Sequence, residues 1–112
     1  MNIAEDEIVV RVRKDRLIYI PNAFTPNDDG FNDLFMIHGG QGVKQIKTFR
    51  IFNRWGEILY EGYNFQPNDP DFGWNGKFKE ERLNPGVFVY LAEVEFIDGR
   101  VEIYKGDVTL VR

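Results

Sequence analysis

Gly86-Val87-Phe88-Val89-Tyr90-Leu91-Ala92-Glu93-Val94-Glu95-Phe96-Ile97-Asp98-Gly99-Arg100-Val101-Glu102-Ile103-Tyr104-Lys105-Gly106-Asp107-Val108-Thr109-Leu110 is the stretch whose reading decides the fold. Its first half alternates, so that Phe88, Tyr90, Ala92, Val94 and Phe96 share one face of an extended chain. Asp98-Gly99 reads as a two-residue hairpin turn, which sets Phe96 opposite Val101 and Val94 opposite Ile103. Carried on without a break, that register would put Lys105, Asp107 and Thr109 on the apolar face. A one-residue bulge at Lys105-Gly106 repairs the pattern, bringing Val108 opposite Tyr90 and Leu110 opposite Phe88.

Outward from this hairpin the chain continues as short strands and turns. Residues 8–13, Ile-Val-Val-Arg-Val-Arg, read as a strand that ends whatever precedes the domain. A second strand over 17–20 is stopped by Pro21, and a third spans 33–38, before the flexible Gly39-Gly40-Gln41-Gly42. Residues 43–55 form the longest candidate. Their spacing allows a helix, but their β-branched and aromatic content without a capping residue favours a strand, and 57–60 pairs back across Trp55-Gly56. Residues 61–86 hold three prolines and four glycines and read as loop, with one short strand near 77–79. About seven strands with turns at intervals of roughly 10 residues predict an all-β, immunoglobulin-like sandwich of antiparallel strands.

Composition supports one domain. The chain has 112 residues, 43% of them hydrophobic and 15% aromatic, which suffices for a single core. Residues 1–16 are assigned to an N-terminal extension and 17–112 to the domain. Fourteen basic against eighteen acidic residues, with no basic run, argue against nucleic acid as a partner. The absence of cysteine removes disulfides, thiolate metal sites and cysteine nucleophiles. No apolar stretch approaches the roughly 20 residues needed to span a bilayer. Residues 1–16 are too charged for a signal peptide, so an export signal is expected in preceding sequence, with this chain the C-terminal piece of a longer protein.

A second stretch, Ile20-Pro21-Asn22-Ala23-Phe24-Thr25-Pro26-Asn27-Asp28-Asp29-Gly30-Phe31-Asn32-Asp33, carries two prolines and six Asx residues. That composition predicts a shaped loop rather than a helix or a regular strand. Its aromatics predict that it is anchored on the sandwich through Phe24, Phe31 and Phe35. Asn27, Asp29, Phe31 and Asp33 fall at alternate positions around Gly30, the order in which calcium loops present oxygen ligands, with Asp28 available to complete the shell. Asx residues also satisfy turn backbone unaided, so calcium stands beside a metal-free turn, and no cofactor is required. Trp55, Trp74, Phe72 and Tyr63 are candidates for a sugar-stacking platform, against core packing as the alternative. One histidine, His38, and no serine leave no arrangement for nucleophilic catalysis, so the domain reads as non-enzymatic.

The Asx stretch, Ile51-Phe52-Asn53-Arg54-Trp55-Gly56, Trp74-Asn75-Gly76, Asn84-Pro85-Gly86-Val87-Phe88-Val89-Tyr90 and Gly106-Asp107-Val108-Thr109-Leu110-Val111-Arg112 follow in an order that resembles the gliding-motility-associated C-terminal domain, the type B sorting domain of type IX secretion. The resemblance runs from about residue 17 to Arg112. It implies the same sandwich fold and a module that sends a large parent protein through the type IX translocon to the cell surface or medium. The partners it implies are that translocon and an outer-membrane β-barrel protein, with the isolated domain a monomer. The recognised surface is expected at Pro21, Asn22, Phe24, Pro26, Asp28, Gly30 and Asn32 in the loop and at Val108, Leu110 and Arg112 in the terminal strand. A calcium- or carbohydrate-binding adhesion module is the alternative.

Overall fold

The hairpin of residues 86–110 forms, but one residue out of the expected register. In the computed structural model, which describes residues 18–27 and 33–112, strand β8 (Gly86–Phe96) pairs with β9 (Val101–Leu110) as a straight antiparallel ladder. Glu95 faces Val101, Glu93 faces Ile103, Val108 faces Phe88 and Leu110 faces Gly86. The expected pairs Phe96 with Val101 and Val108 with Tyr90 do not occur, and no bulge interrupts β9. The cause lies in the turn. The Phe96 amide donates to the Arg100 carbonyl at 2.8 Å and the Gly99 amide to Phe96 at 2.9 Å, so three residues, 97–99, make the connection. Gly99 takes the left-handed position (φ +90°) that such a three-residue turn requires. The odd-length turn shifts the register by one and by itself puts Val108 and Leu110 on the apolar face.

Gly106 therefore has another role. It lies on the inner face opposite Tyr90, and a Cβ there would sit 3.0–3.2 Å from atoms of the Tyr90 phenol. The ring occupies the space that a side chain would need. Burial raises the Tyr90 pKa above its ordinary value, with the Asp107 carboxylate adding to the effect.

Further strands are β1 (Ile18–Tyr19), β2 (Ala23–Phe24), β3 (His38–Gly39), β4 (Val43–Phe52), β5 (Ile58–Phe65), β6 (Lys77–Phe78) and β7 (Glu81–Arg82). Five of the strands make the main sheet in the order β2-β9-β8-β4-β5. β1 with β3 and β6 with β7 form small antiparallel pairs. The all-β sandwich is as expected, with one parallel pairing: Ala23 faces Thr109 and Phe24 faces Leu110. The Asx stretch thus contains a two-residue strand where loop alone was expected, because β9 offers amides at Thr109 and Val111 that the Asn22 and Phe24 carbonyls accept at 2.9 and 3.0 Å. The strand at 8–13 and Leu17 lie outside the described residues.

β4 shows why its sequence allowed a helical reading. Val43, Ile46 and Phe49 are all buried at a spacing of three, in a strand. Against β8 the register slips twice, between Val43 and Gln45 and between Ile46 and Thr48. Each slip inserts an extra residue, Lys44 and Lys47, both exposed, and so keeps the apolar residues inward. Between these bulges and the end of β8 the outer face carries polar pairs. Gln45 Nε2 donates to Glu95 and Thr48 Oγ1 to Glu93, each at 2.8 Å, and the Gln45 bond together with Lys44 at 3.8 Å holds the Glu95 carboxyl below its usual pKa. β5 runs on to Phe65 through residues expected to be loop, since pairing of Tyr63, Gly62 and Glu61 with β4 outweighs their local turn preference.

The inner face of the sheet is covered by the segments that carry Phe24, Phe35, Ile37 and Trp74, all at most 2% exposed. Phe35 and Trp74 exchange both backbone hydrogen bonds at 2.9 Å. Trp74 meets Phe88 edge-on at 5.3 Å and Phe24 at 5.5 Å, and Phe35 meets Phe49 and Tyr90 at 5.6 Å. Aromatic contacts of this kind add about 0.5–1.5 kcal/mol each beyond the area they bury.

Gly106→Val is expected to lower the unfolding free energy by about 1–3 kcal/mol through overpacking against the Tyr90 ring. Chemical denaturation of a double-mutant cycle checks the cause: most of the loss should vanish in a Tyr90→Ala background, whereas a backbone origin would leave it unchanged.

Candidate functional site

Three separated pieces of sequence converge at the end of β9. The parallel pairing brings Asn22, Ala23 and Phe24 alongside Thr109 and Leu110, and the Trp74-Asn75-Gly76 turn closes over them. Trp74 is fixed by burial and by donation from its indole Nε1 to the Lys77 carbonyl at 3.0 Å. Asn75 Oδ1 accepts the Lys77 amide, also at 3.0 Å. Gly76 has φ +79°, and a Cβ on it would lie 2.7 Å from Leu110 Cδ1 and 3.2 Å from Pro26 Cγ. Here only glycine satisfies both the backbone and the space.

Arg112 ties the same pieces together. Its Nε donates to the Leu83 carbonyl at 2.9 Å, Nη2 to Gly76 at 3.3 Å and Nη1 to Pro26 at 3.4 Å. A planar fork of donors suits three carbonyls arriving from three directions. Beside it lies a cleft of about 240 Å³ lined by Pro26, Asp33, Leu34, Asn75, Lys77, Arg82 and Arg112. Among the described lining residues three cationic side chains stand against one carboxylate, a balance that favours an anionic or hydrogen-bond-accepting ligand. At the mouth of the Asx loop the Asn27 amide donates to Asp33 Oδ1 at 3.1 Å.

Lys77 and Arg82 face each other across the β6–β7 hairpin. Its turn consists of Lys79 and Glu80, both with left-handed φ (+52° and +71°). Asn-Gly is the sequence such a turn prefers, so the cleft is edged by a strained connection.

The expected recognition residues divide into two groups. Phe24, Val108 and Leu110 are buried in the core. Asn22 is exposed, Arg112 is exposed, and Pro21 and Pro26 are partly exposed, all on or near the β2–β9 junction. Phe24 and Phe35 anchor the Asx stretch as expected; Asp28, Asp29, Gly30, Phe31 and Asn32 lie outside the described residues. Of the candidate calcium ligands, Asn27 and Asp33 are brought together, and among the described residues no cluster of three or more carboxylate or histidine side chains forms a metal-binding group. Lys77 and Arg82 were not anticipated as site residues; two cations five apart across a turn carry no signal until the hairpin is known.

The aromatic platform is not assembled. Trp74 is core, Phe72 stacks on Phe65 at 4.4 Å and 4°, Tyr63 accepts hydrogen bonds from Arg50, and Trp55 is 87% exposed on the turn between β4 and β5. Among the described residues no helix is long and apolar enough to cross a membrane.

Gly76→Ala should cost about 1 kcal/mol for the left-handed backbone and more for the contact with Leu110. Gly86→Ala, with open space around its Cβ position, should cost markedly less. Thermal melts of the two variants check this. Replacing Lys79-Glu80 by Asn-Gly should raise the melting temperature by a few degrees, since about 1 kcal/mol corresponds to roughly 4–8 °C in a domain of this size.

No curated protein matches this sequence. The family described as CHU_C, type IX secretion signal domain, matches residues 18–110. Those residues take in the whole sandwich and the β2–β9 junction, and the chain belongs to the type IX secretion signal domain family.

Proposed function

We propose that this domain is the sorting unit of a large parent protein, recognised in its folded form by the type IX translocon together with an outer-membrane β-barrel protein, and that it delivers the parent to the cell surface or medium. The observation that carries this reading is the union of the 21–27 segment with β9 and Arg112 into one surface, beside a basic cleft. A signal built from residues so far apart in sequence is a shape, presented only when the domain is folded. Partner recognition would rest on the exposed parts of that surface, namely Asn22, Pro26, Lys77, Arg82 and Arg112, and on the adjoining Asx loop at 28–32.

The test is export. A reporter with an N-terminal export signal, ending in residues 17–112, should reach the surface or medium of a host that has the type IX machinery. The double substitution Lys77→Glu, Arg82→Glu and the single substitution Asp28→Lys, each checked for an unchanged melting temperature, should reduce export at least several-fold. Folded variants exported at the original level would refute this surface, and a reporter exported equally well without the domain would refute the sorting role.

The Asn27, Asp29, Phe31 and Asp33 pattern keeps calcium as a proposed ligand of the loop, one that would stabilise it rather than perform chemistry. A ligand specific to the folded state raises stability by mass action. The melting temperature should then rise by several degrees between chelator and millimolar calcium in the wild type and stay constant in Asp29→Ala; a wild type indifferent to calcium leaves the metal-free turn.

A further inference from the structure

Asn75-Gly76 is the only place in the 112 residues where an asparagine precedes a glycine. Asparagine is a thermolabile residue, because the next backbone nitrogen can attack its side-chain amide, and a glycine has no side chain to hinder that attack. The fold adds three features that favour the reaction. The first is access. Asn75 is exposed, so water reaches its side chain, and among the described residues neither the Gly76 N–H nor Asn75 Nδ2 meets an acceptor. Neither the attacking nitrogen nor the leaving one is held by a hydrogen bond.

The second is a donor at the reacting carbonyl. The Lys77 amide donates to Asn75 Oδ1 at 3.0 Å, and this is the oxygen on which negative charge develops when Cγ is attacked. Charge is the third. Lys77 and Arg82 line the same cleft as Asn75, and Arg112 Nη2 donates to the Gly76 carbonyl at 3.3 Å. Nearby cations favour the deprotonated amide and the anionic intermediate that follows it.

We propose that Asn75-Gly76 is a site of spontaneous deamidation, which places a new carboxylate in the cleft and loosens the β2–β9 junction as the protein ages. Water is the only co-reactant. The Gly76 nitrogen gives its proton to hydroxide and bonds to Asn75 Cγ; the Cγ–Nδ2 bond breaks, and Nδ2 leaves as ammonia with a proton from water. Water then opens the succinimide. Cleavage of the new Cγ–N bond restores the peptide with aspartate at position 75. Cleavage at the main-chain carbonyl leaves isoaspartate, with the backbone running through Cγ. The net change is an amide and water to a carboxylic acid and ammonia, with nothing oxidised or reduced.

The two products act differently. Aspartate keeps the backbone and the acceptor for the Lys77 amide, and among the described lining residues it sets a second carboxylate against the same cations. Isoaspartate lengthens the main chain just before Gly76, where a Cβ would already lie 2.7 Å from Leu110 Cδ1 and 3.2 Å from Pro26 Cγ. A close-packed site has no room for that extra atom, so the turn must withdraw from the end of β9.

Peptide mapping by mass spectrometry tests the chemistry on the full chain, held for days at mildly alkaline pH. Conversion at Asn75 should run at least tenfold ahead of every other asparagine, and Asn75→Gln should abolish it, because the longer side chain must close a larger ring. Lys77→Glu with Arg82→Glu should slow conversion at Asn75 several-fold and leave the other asparagines unchanged. Asn75→Asp should melt where the wild type does, while the isoaspartyl fraction, separated from aged protein, should melt clearly lower. Conversion at Asn75 no faster than elsewhere, or equally fast in the charge-reversed variant, overturns the proposal. An isoaspartyl fraction as stable as the wild type overturns its claim on the junction.

Discussion

Burial of the Trp74 indole is the contact on which the rest of this domain depends. The ring fills the space between Phe24, Phe88 and the end of β9, and its single donor is satisfied by the Lys77 carbonyl, so a large amphipathic group is buried without an unmet polar atom. Phe35 is held to it by two backbone hydrogen bonds, and Phe24 by ring contact. These residues bring three irregular segments onto the open face of a five-stranded sheet. Without that covering, Val94, Val108 and Leu110 would face water, and the Asx stretch would have no anchor.

The same arrangement explains how the surface proposed for recognition arises from structural necessity. Gly76 must be close to Leu110 because Trp74 is inserted two residues earlier, and the closeness leaves the Gly76 carbonyl in reach of Arg112. Arg112 spends its donors on backbone carbonyls of three segments. The cations with no such obligation are Lys77 and Arg82, held on a hairpin whose turn residues adopt a conformation that ordinary side chains disfavour. Strain persists where surrounding structure over-determines it, and here it lies at the rim of the cleft.

The sequence was legible where local rules and tertiary demands agreed. Alternation in 86–96, the turn glycine at 99 and the aromatic content were enough for an all-β sandwich, and Phe24 and Phe35 were readable as anchors. The register of β9 was not, because Asp98-Gly99 fits either a two-residue or a three-residue turn, and a single residue's difference reverses every side chain beyond it. A two-residue turn would demand a bulge at Gly106 to restore the apolar face, whereas the three-residue turn restores it unaided. β4 resisted for the opposite reason: its real bulges at Lys44 and Lys47 give the buried residues a spacing of three, which is the signature of a different element. Ala23-Phe24 became a strand only because β9 supplied amides to a segment with weak preferences of its own. The cleft was invisible, since Lys77, Arg82 and Arg112 meet only through those pairings.

The pairing of Ala23 with Thr109 joins positions 86 residues apart, 109 minus 23. Contacts of such separation carry the largest loop-closure entropy and tend to form after local hairpins have collapsed. During synthesis β9 is the last of the described sheet strands to emerge, so this closure cannot precede the synthesis of that strand. A receptor that reads the closed junction would in effect read a timestamp: chains stalled, truncated or still folding would lack the feature, and maturation and recognition would be reported by a single parallel pair of strands.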